Sequence, residues 1–243
     1  MPDTRRRLNA GIVRKGPSKL RKLDRELLTP DNGSWLRGDP WRVLRIQTEF
    51  VEGFEALEDL GPAVSVFGSA RTQQDDPLFD VGYRIGAALA QRGVAVITGA
   101  GPGAMEAVNR GADEAGGVSV GLGIELPFEE TMNASVNLGI MFRYFFARKV
   151  MFLKYAQGFI VLPGGFGTFD ELFETLTLMQ TGTVDHFPLV LFGSEYWAGL
   201  LGFVQDTMLE RGFISEPDID LIKVTDDVLD AVELACAQIG KVE

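Results

Sequence analysis

Short apolar runs alternate with stretches of helical periodicity through most of this 243-residue chain, and no other feature restricts its fold as much. VSVF (64–67), VAVIT (94–98), VSVGLGI (118–124), GFIVL (158–162), PLVLF (188–192) and LIKV (221–224) are four to seven residues long and mostly apolar throughout. Strands that face water on one side alternate polar and apolar residues; runs like these are buried on both faces. Between them the spacing predicts helices. One carries Val81, Ile85, Ala88 and Leu89, another runs to Ala115, and a long one spans about 138–155. Further helices carry Phe169, Leu172, Phe173 and Leu176, then cover about 196–209, and a last one starts at Asp226. Ahead of the first run, Asp39-Pro40 is a helix start, an N-cap with proline at the first helical position. Trp41, Leu44, Val51, Phe54 and Leu57 then recur at helical spacing up to a Gly61-Pro62 stop.

The expected fold class is therefore α/β: a Rossmann-like, doubly wound parallel sheet with helices on both faces. In such sheets ligands sit beyond the carboxyl ends of the strands, where the strand order reverses. GSAR, GAGPG, Glu125 and PGGFGT each follow a strand directly, so they should line one crevice.

Composition removes several classes of chemistry. With one cysteine (Cys236) and one histidine (His186), neither a disulfide framework nor a Cys/His zinc site can be built. His186, in a DHFP loop, reads as solvent-exposed rather than catalytic. No apolar run approaches the roughly 18 residues of a membrane span, and no apolar segment follows Arg5-Arg6-Arg7 as an export signal would require. A soluble, cytoplasmic protein is expected. Its charge is uneven. Residues 1–30 hold nine basic side chains against Asp3, Asp24 and Glu26, a net +6 that leaves −17 on the rest of a chain whose total is −11. So acidic a body repels nucleic acid. Residues 1–38 read as a basic, flexible arm, and 39–243 as a single Rossmann-like domain.

Three glycines in four positions open the motif Gly164-Gly165-Phe166-Gly167-Thr168 at a strand-to-helix junction. A glycine turn leading into a helix N-terminus offers unpaired N–H groups and the positive end of a helix dipole, a platform for phosphate. Thr168 and Glu171 also form T-x-x-E, the pattern of a capping box. Spacing alone leaves Glu171 open to both roles, cap or chemistry. Gly99 to Ala104 (GAGPGA) matches a relaxed dinucleotide fingerprint, with Glu125 in the place of its ribose-binding acid. Against an NAD(P) enzyme, the fingerprint follows the second strand rather than the first, and Pro102 removes an N–H from the turn. No Walker-type G-x-x-x-x-G-K-[ST] occurs. In MFRYFFARKVMFLKYA (141–156), the adjacent cations Arg148 and Lys149 interrupt an almost wholly apolar stretch. Buried cations need anionic partners, and a guanidinium suits phosphate or carboxylate.

Pro163 to Glu171, P-G-G-x-G-T-x-x-E preceded by an Arg-Lys pair on a helix, resembles the Lonely guy family, cytokinin riboside 5′-monophosphate phosphoribohydrolases formerly taken for lysine decarboxylases. The similarity runs from about Trp41 to the C-terminus, through GSAR, GAGPGAMEAVN and IELPFEE, and is closest to the longer bacterial branch. It implies cleavage of the N-glycosidic bond of a purine nucleoside 5′-monophosphate, a cytokinin riboside or adenosine monophosphate, to free base and ribose 5-phosphate. Motif match implies Glu171 and Arg148 as catalytic residues. It implies Gly68, Ser69, Gly101, Gly103, Met105, Glu130, Lys149, Gly164, Gly165, Gly167 and Thr168 as substrate- or phosphate-binding, with no metal and no cofactor. A homodimer or higher homo-oligomer is implied as well. Two departures bear on substrate preference: Phe145-Phe146-Ala147 stands where the plant pattern has M-H-x, and Ala100 replaces a glycine of a G-G-G run. A nucleotide-binding protein or carrier without turnover is the alternative reading, and nothing marks a lysine for pyridoxal phosphate.

Overall fold

The computed structural model describes residues 39–125, 132–185 and 187–240; the basic arm, Glu130 and His186 lie outside the described residues. Its strands are β1 (Ala63–Phe67), β2 (Ala95–Thr98), β3 (Ser119–Ile124), β4 (Leu138–Phe142), β5 (Phe159–Val161), β6 (Leu189–Phe192) and β7 (Ile222–Thr225). They form one parallel sheet in the order β4-β3-β2-β1-β5-β6-β7. The chain winds outward from β1 to β4, returns to place β5 beside β1, and winds outward again. The switch point therefore lies between β1 and β5, which pair Phe67 with Val161 at their carboxyl ends.

Each inner strand divides its side chains by the two-residue period. Phe159 and Val161 of β5 face one core with Ala63 and Phe67 of β1, Ile97 of β2 and Leu191 of β6. Ile160 and Leu162 face the other, with Val64, Val66, Val96 and Val190. The first core is closed by α1 (Asp39–Leu57), α4 (Phe145–Tyr155), α5 (Phe166–Gln180) and α6 (Ser194–Phe203), which contribute Leu57, Phe152, Leu172 and Trp197. The second is closed by α2 (Pro77–Gln91), α3 (Ala104–Glu114) and α8 (Val228–Ala235), through Ile85, Val108 and Val232. Burying each such side chain is worth about 1.5–3 kcal/mol. Helices α2 and α3 cross at very short range: a side chain at Gly86 would overlap the Val108 carbonyl, and one at Gly111 the Tyr83 carbonyl.

Three of the predicted elements need correction. The expected helix over 138–155 is a strand followed by a helix. Leu138, Ile140 and Phe142 point inward while Gly139 and Met141 alternate with them, paired in register with β3 from Val120 to Ile124. A run apolar on every side satisfies both periods, and tertiary pairing decides between them. Of the five apolar residues expected to mark the buried face of helix α1, Leu57 is buried and the other four are not. Trp41, Leu44, Val51 and Phe54 are exposed, and the inward side is Ile46, Glu49, Phe50, Gly53 and Leu57. A glutamate in the middle of that face hid it from a hydrophobicity reading. The helix expected around 196–209 divides into α6 and a π-helical segment, Val204–Leu209, and a short α7 (Glu216–Ile219) follows it.

Candidate active site

The loops after β1, β2 and β5 are tied to one another by backbone hydrogen bonds. Leu162 N–H donates to the Phe67 carbonyl (2.8 Å), Ser69 N–H to the Pro163 carbonyl (3.2 Å) and Ala104 N–H to the Ser69 carbonyl (2.9 Å). Gly103 has φ +71°, and a side chain there would press on the Ser69 carbonyl at 2.6 Å. One at Gly68 would meet the Ala104 methyl. Gly68, Ser69, Gly103 and the β5 turn are thus one packed cluster over the switch point. The β2 turn is fixed further by Asn133, which donates from its backbone N–H to the Ala100 carbonyl (2.8 Å) and from Nδ2 to the Gly101 carbonyl (3.0 Å). Ala100 itself lies at φ +64°, a left-handed conformation that costs a non-glycine residue about 1–2 kcal/mol. The substituted alanine keeps a backbone shape suited to glycine, and its N–H is held by Thr98 Oγ1 (3.1 Å).

The PGGFGT turn has two kinds of glycine. A side chain at Gly164 would overlap Thr168 Oγ1, so this glycine is required by the fold. Side chains at Gly165 or Gly167 would meet nothing within 4 Å. Helix α5 begins at Phe166 with Gly165 as its N-cap, and no side chain caps it. Thr168 is consequently the third helical residue and Glu171 the sixth. The capping-box alternative for this pair is removed, because the helix starts three residues earlier than that pattern requires.

Glu171 lies one and a half turns into α5, on the side facing α4. Burial drives its pKa from 4.5 up to about 7, against the opposing charges of Lys149 and Arg148. The neighbouring carboxylates Glu174 and Asp170 push in the same direction as burial. Arg148 reaches the other side of the crevice. A side chain at Gly99 would overlap its Nη2, and Met105 Sδ lies against the same glycine. Its guanidinium carbon stands 5.1 Å from the Phe152 ring centroid, one helical turn along α4. Helix α4 is held in place by Ser65 of β1, whose hydroxyl donates to the Phe152 carbonyl (3.1 Å).

Lys149 is engaged within the protein. Its Nζ lies 3.0 Å from Asp170 Oδ1 and 2.9 Å from Glu174 Oε2, and it is largely buried. Burial alone would lower its pKa, but the bonds to Glu174 and Asp170 raise it above the ordinary lysine value. Lys149 clips α4 to α5 beside Glu171. A groove along α5 is lined by Phe169, Asp170, Phe173, Glu174, Thr177 and Leu178, and so includes both carboxylates that hold Lys149. Glu125, at the end of β3, is paired with Arg143 at 3.6 Å.

Two residues that hold this site gave no signal in the sequence. Glu49, 3% exposed on α1, accepts the backbone N–H groups of Arg143 (3.1 and 3.2 Å) and Tyr144 (3.2 Å), the turn from which α4 starts. Tyr196, on α6, donates its hydroxyl to the Gly164 carbonyl.

Fold and site together define a doubly wound α/β protein with a glycine-lined crevice at its switch point and a carboxylate and a guanidinium above it. A family described as "Possible lysine decarboxylase" matches residues 105–235. The cytokinin riboside 5′-monophosphate phosphoribohydrolase of Mycobacterium tuberculosis is 34% identical over 163 residues, 66% of this chain and 86% of that protein. A probable cytokinin riboside 5′-monophosphate phosphoribohydrolase of Oryza sativa subsp. japonica is 34% identical over 142 residues, 55% of each chain. The chain belongs to this family, the Lonely guy family. Among solved structures, the molybdenum cofactor carrier protein of Chlamydomonas reinhardtii superposes with a TM-score of 0.55 at 22% identity, covering 75% of this chain and 99% of that one. The molybdenum cofactor binding protein of Rippkaea orientalis gives 0.52 at 21%, covering 74% and 98%. At such identity these two show the shared fold alone.

Proposed function

We propose that this protein hydrolyses the N-glycosidic bond of purine nucleoside 5′-monophosphates, releasing free base and ribose 5-phosphate. The observation that carries the reading is the pairing of Glu171, a carboxylate with a pKa of about 7, with the open glycines four and six residues earlier, at the start of the same helix. A phosphate seated against Gly165 and Gly167 receives N–H donors and the positive end of α5. The ribose then extends over the crevice toward Glu171. Breaking the bond from C1′ to the base nitrogen builds positive charge on the sugar, which a carboxylate stabilises while it orients or deprotonates a water. Arg148 faces the reacting region from α4, where it stabilises charge on the departing base or fixes the substrate. Gly68, Ser69, Gly101, Gly103, Met105 and Thr168 complete the binding surface, and Glu130 is assigned to it by motif alone. Lys149, clipped between two carboxylates, acts on the site through Glu171. A protonated, ion-paired lysine is also the opposite of the neutral amine that a Schiff base needs, which argues against decarboxylation.

The relatives' names support a cytokinin nucleotide as substrate, and the same chemistry serves AMP. The reading assigns the protein to the cytoplasm as a homo-oligomer, with exposed Phe145, Phe146 and Val150 of α4 as the surface for a second copy. Incubation with AMP and with isopentenyladenosine 5′-monophosphate, followed by chromatography for free base, tests the reaction. Release of base with ribose 5-phosphate supports it. Tight binding without release would make the protein a nucleotide carrier.

A further inference from the structure

We infer that Tyr196 is a positioning residue that fixes the peptide between Gly164 and Gly165 so that the Gly165 N–H is presented to the substrate phosphate. The inference rests on the phosphate reading of the PGGFGT turn. Strand β5 lies between β1 and β6. On its β1 side, the Pro163 carbonyl accepts the Ser69 N–H (3.2 Å). On its β6 side, the next carbonyl, that of Gly164, accepts the Tyr196 hydroxyl at 2.5 Å, from the first turn of α6. The peptide is trans, so its C=O and N–H point to opposite edges. A carbonyl drawn toward β6 turns the Gly165 N–H toward β1, which is the crevice at the switch point.

A peptide flanked by two glycines has little steric resistance to turning over. Turned over, it would aim a carbonyl oxygen at the phosphate in place of a donor. Tyr196 opposes that from a fixed base. Its ring stands edge-on to Trp197 with centroids 4.8 Å apart, and Trp197 is fully buried with its indole N–H on the Phe192 carbonyl (3.0 Å). The start of α6 is pinned by Asp226, which accepts from Ser194 N–H (2.7 Å) and Ser194 Oγ (2.6 Å). Residues from the β6 and β7 side of the sheet, with no place in the crevice, thereby set the direction of a donor within it.

The test is Tyr196→Phe in the full chain, which removes the hydroxyl and keeps the ring against Trp197. Steady-state kinetics with AMP and competitive inhibition by inorganic phosphate are measured beside a thermal melt. One hydrogen bond's worth of bias predicts a KM for AMP and an inhibition constant for phosphate both raised about 3- to 10-fold, with kcat nearly unchanged and the melt within a few degrees. A variant with both constants unchanged overturns the inference while the phosphate reading stands. So does one that loses only kcat. If the unmodified protein releases base from neither AMP nor isopentenyladenosine 5′-monophosphate, the functional reading itself fails, and this inference fails with it; if only the latter turns over, the same constants are read with it.

Discussion

Glu171 shows how little of a residue's chemistry its spacing can reveal. T-x-x-E is compatible with a cap, and only the start of α5 at Phe166 separates the carboxylate from that duty. Its pKa of about 7 makes activity depend on pH in a definite direction. If the ionised form does the work, kcat/KM falls about tenfold per unit below pH 7 and levels off above it; a flat profile from pH 5 to 8 would contradict the assignment. Glu171→Gln is expected to fold normally and to lose about 10²–10⁴-fold in turnover, the reach of a positioned acid–base group. The glycines divide along similar lines. Sequence suggested that all three served one purpose, but a side chain at Gly164 would overlap Thr168 Oγ1, whereas Gly165 and Gly167 border open space. Gly167→Ala should therefore leave the melting temperature within a few degrees and raise the KM for a nucleotide several-fold. An unchanged KM in a folded variant would show that no phosphate approaches there.

At the scale of elements, the alternating apolar runs were enough to read the parallel sheet and the crevice at its carboxyl ends. What they could not show was which face of α1 is buried, or that β4 precedes α4. The first turns on Glu49, a polar residue whose partners, the N–H groups of Arg143 and Tyr144, are more than ninety positions away, and the second on the pairing of β4 with β3. Tyr196 was hidden for a similar reason, since its bond to Gly164 spans 32 positions. Glu49→Ala leaves buried donors without an acceptor where α4 begins, at about 1–3 kcal/mol. We expect a measurable drop in denaturant midpoint and, because Arg148 rides on α4, a loss of turnover in the fraction still folded. A variant as stable and active as the parent would mean that the Glu49 carboxylate does not hold the start of α4. Burial also raises the Glu49 pKa to about 7. Like Glu171, it binds its proton more tightly folded than unfolded, so both contribute to a stability that declines as pH rises from about 4.5 to about 7.

On the whole-molecule scale, Trp41 and Val51 on α1 and Phe145 and Phe146 on α4 are exposed apolar side chains on two helices that touch, a surface suited to a second copy. Light scattering on the full chain should accordingly give a mass of at least two subunits; a monomer at micromolar concentration would contradict the assembly. The central claim is a chemical one. It joins a phosphate-binding turn to a carboxylate that breaks a glycosidic bond, and each half can fail separately. Comparing AMP with adenosine at equal concentration, by chromatography of released adenine, examines both halves together. The account predicts that adenine and ribose 5-phosphate appear from AMP at a rate far above that of adenine from adenosine. Equal rates from the two would contradict phosphate recognition at Gly164–Thr168, and no free base, neither adenine from AMP nor the N6-substituted adenine from a cytokinin nucleotide, would contradict the hydrolase.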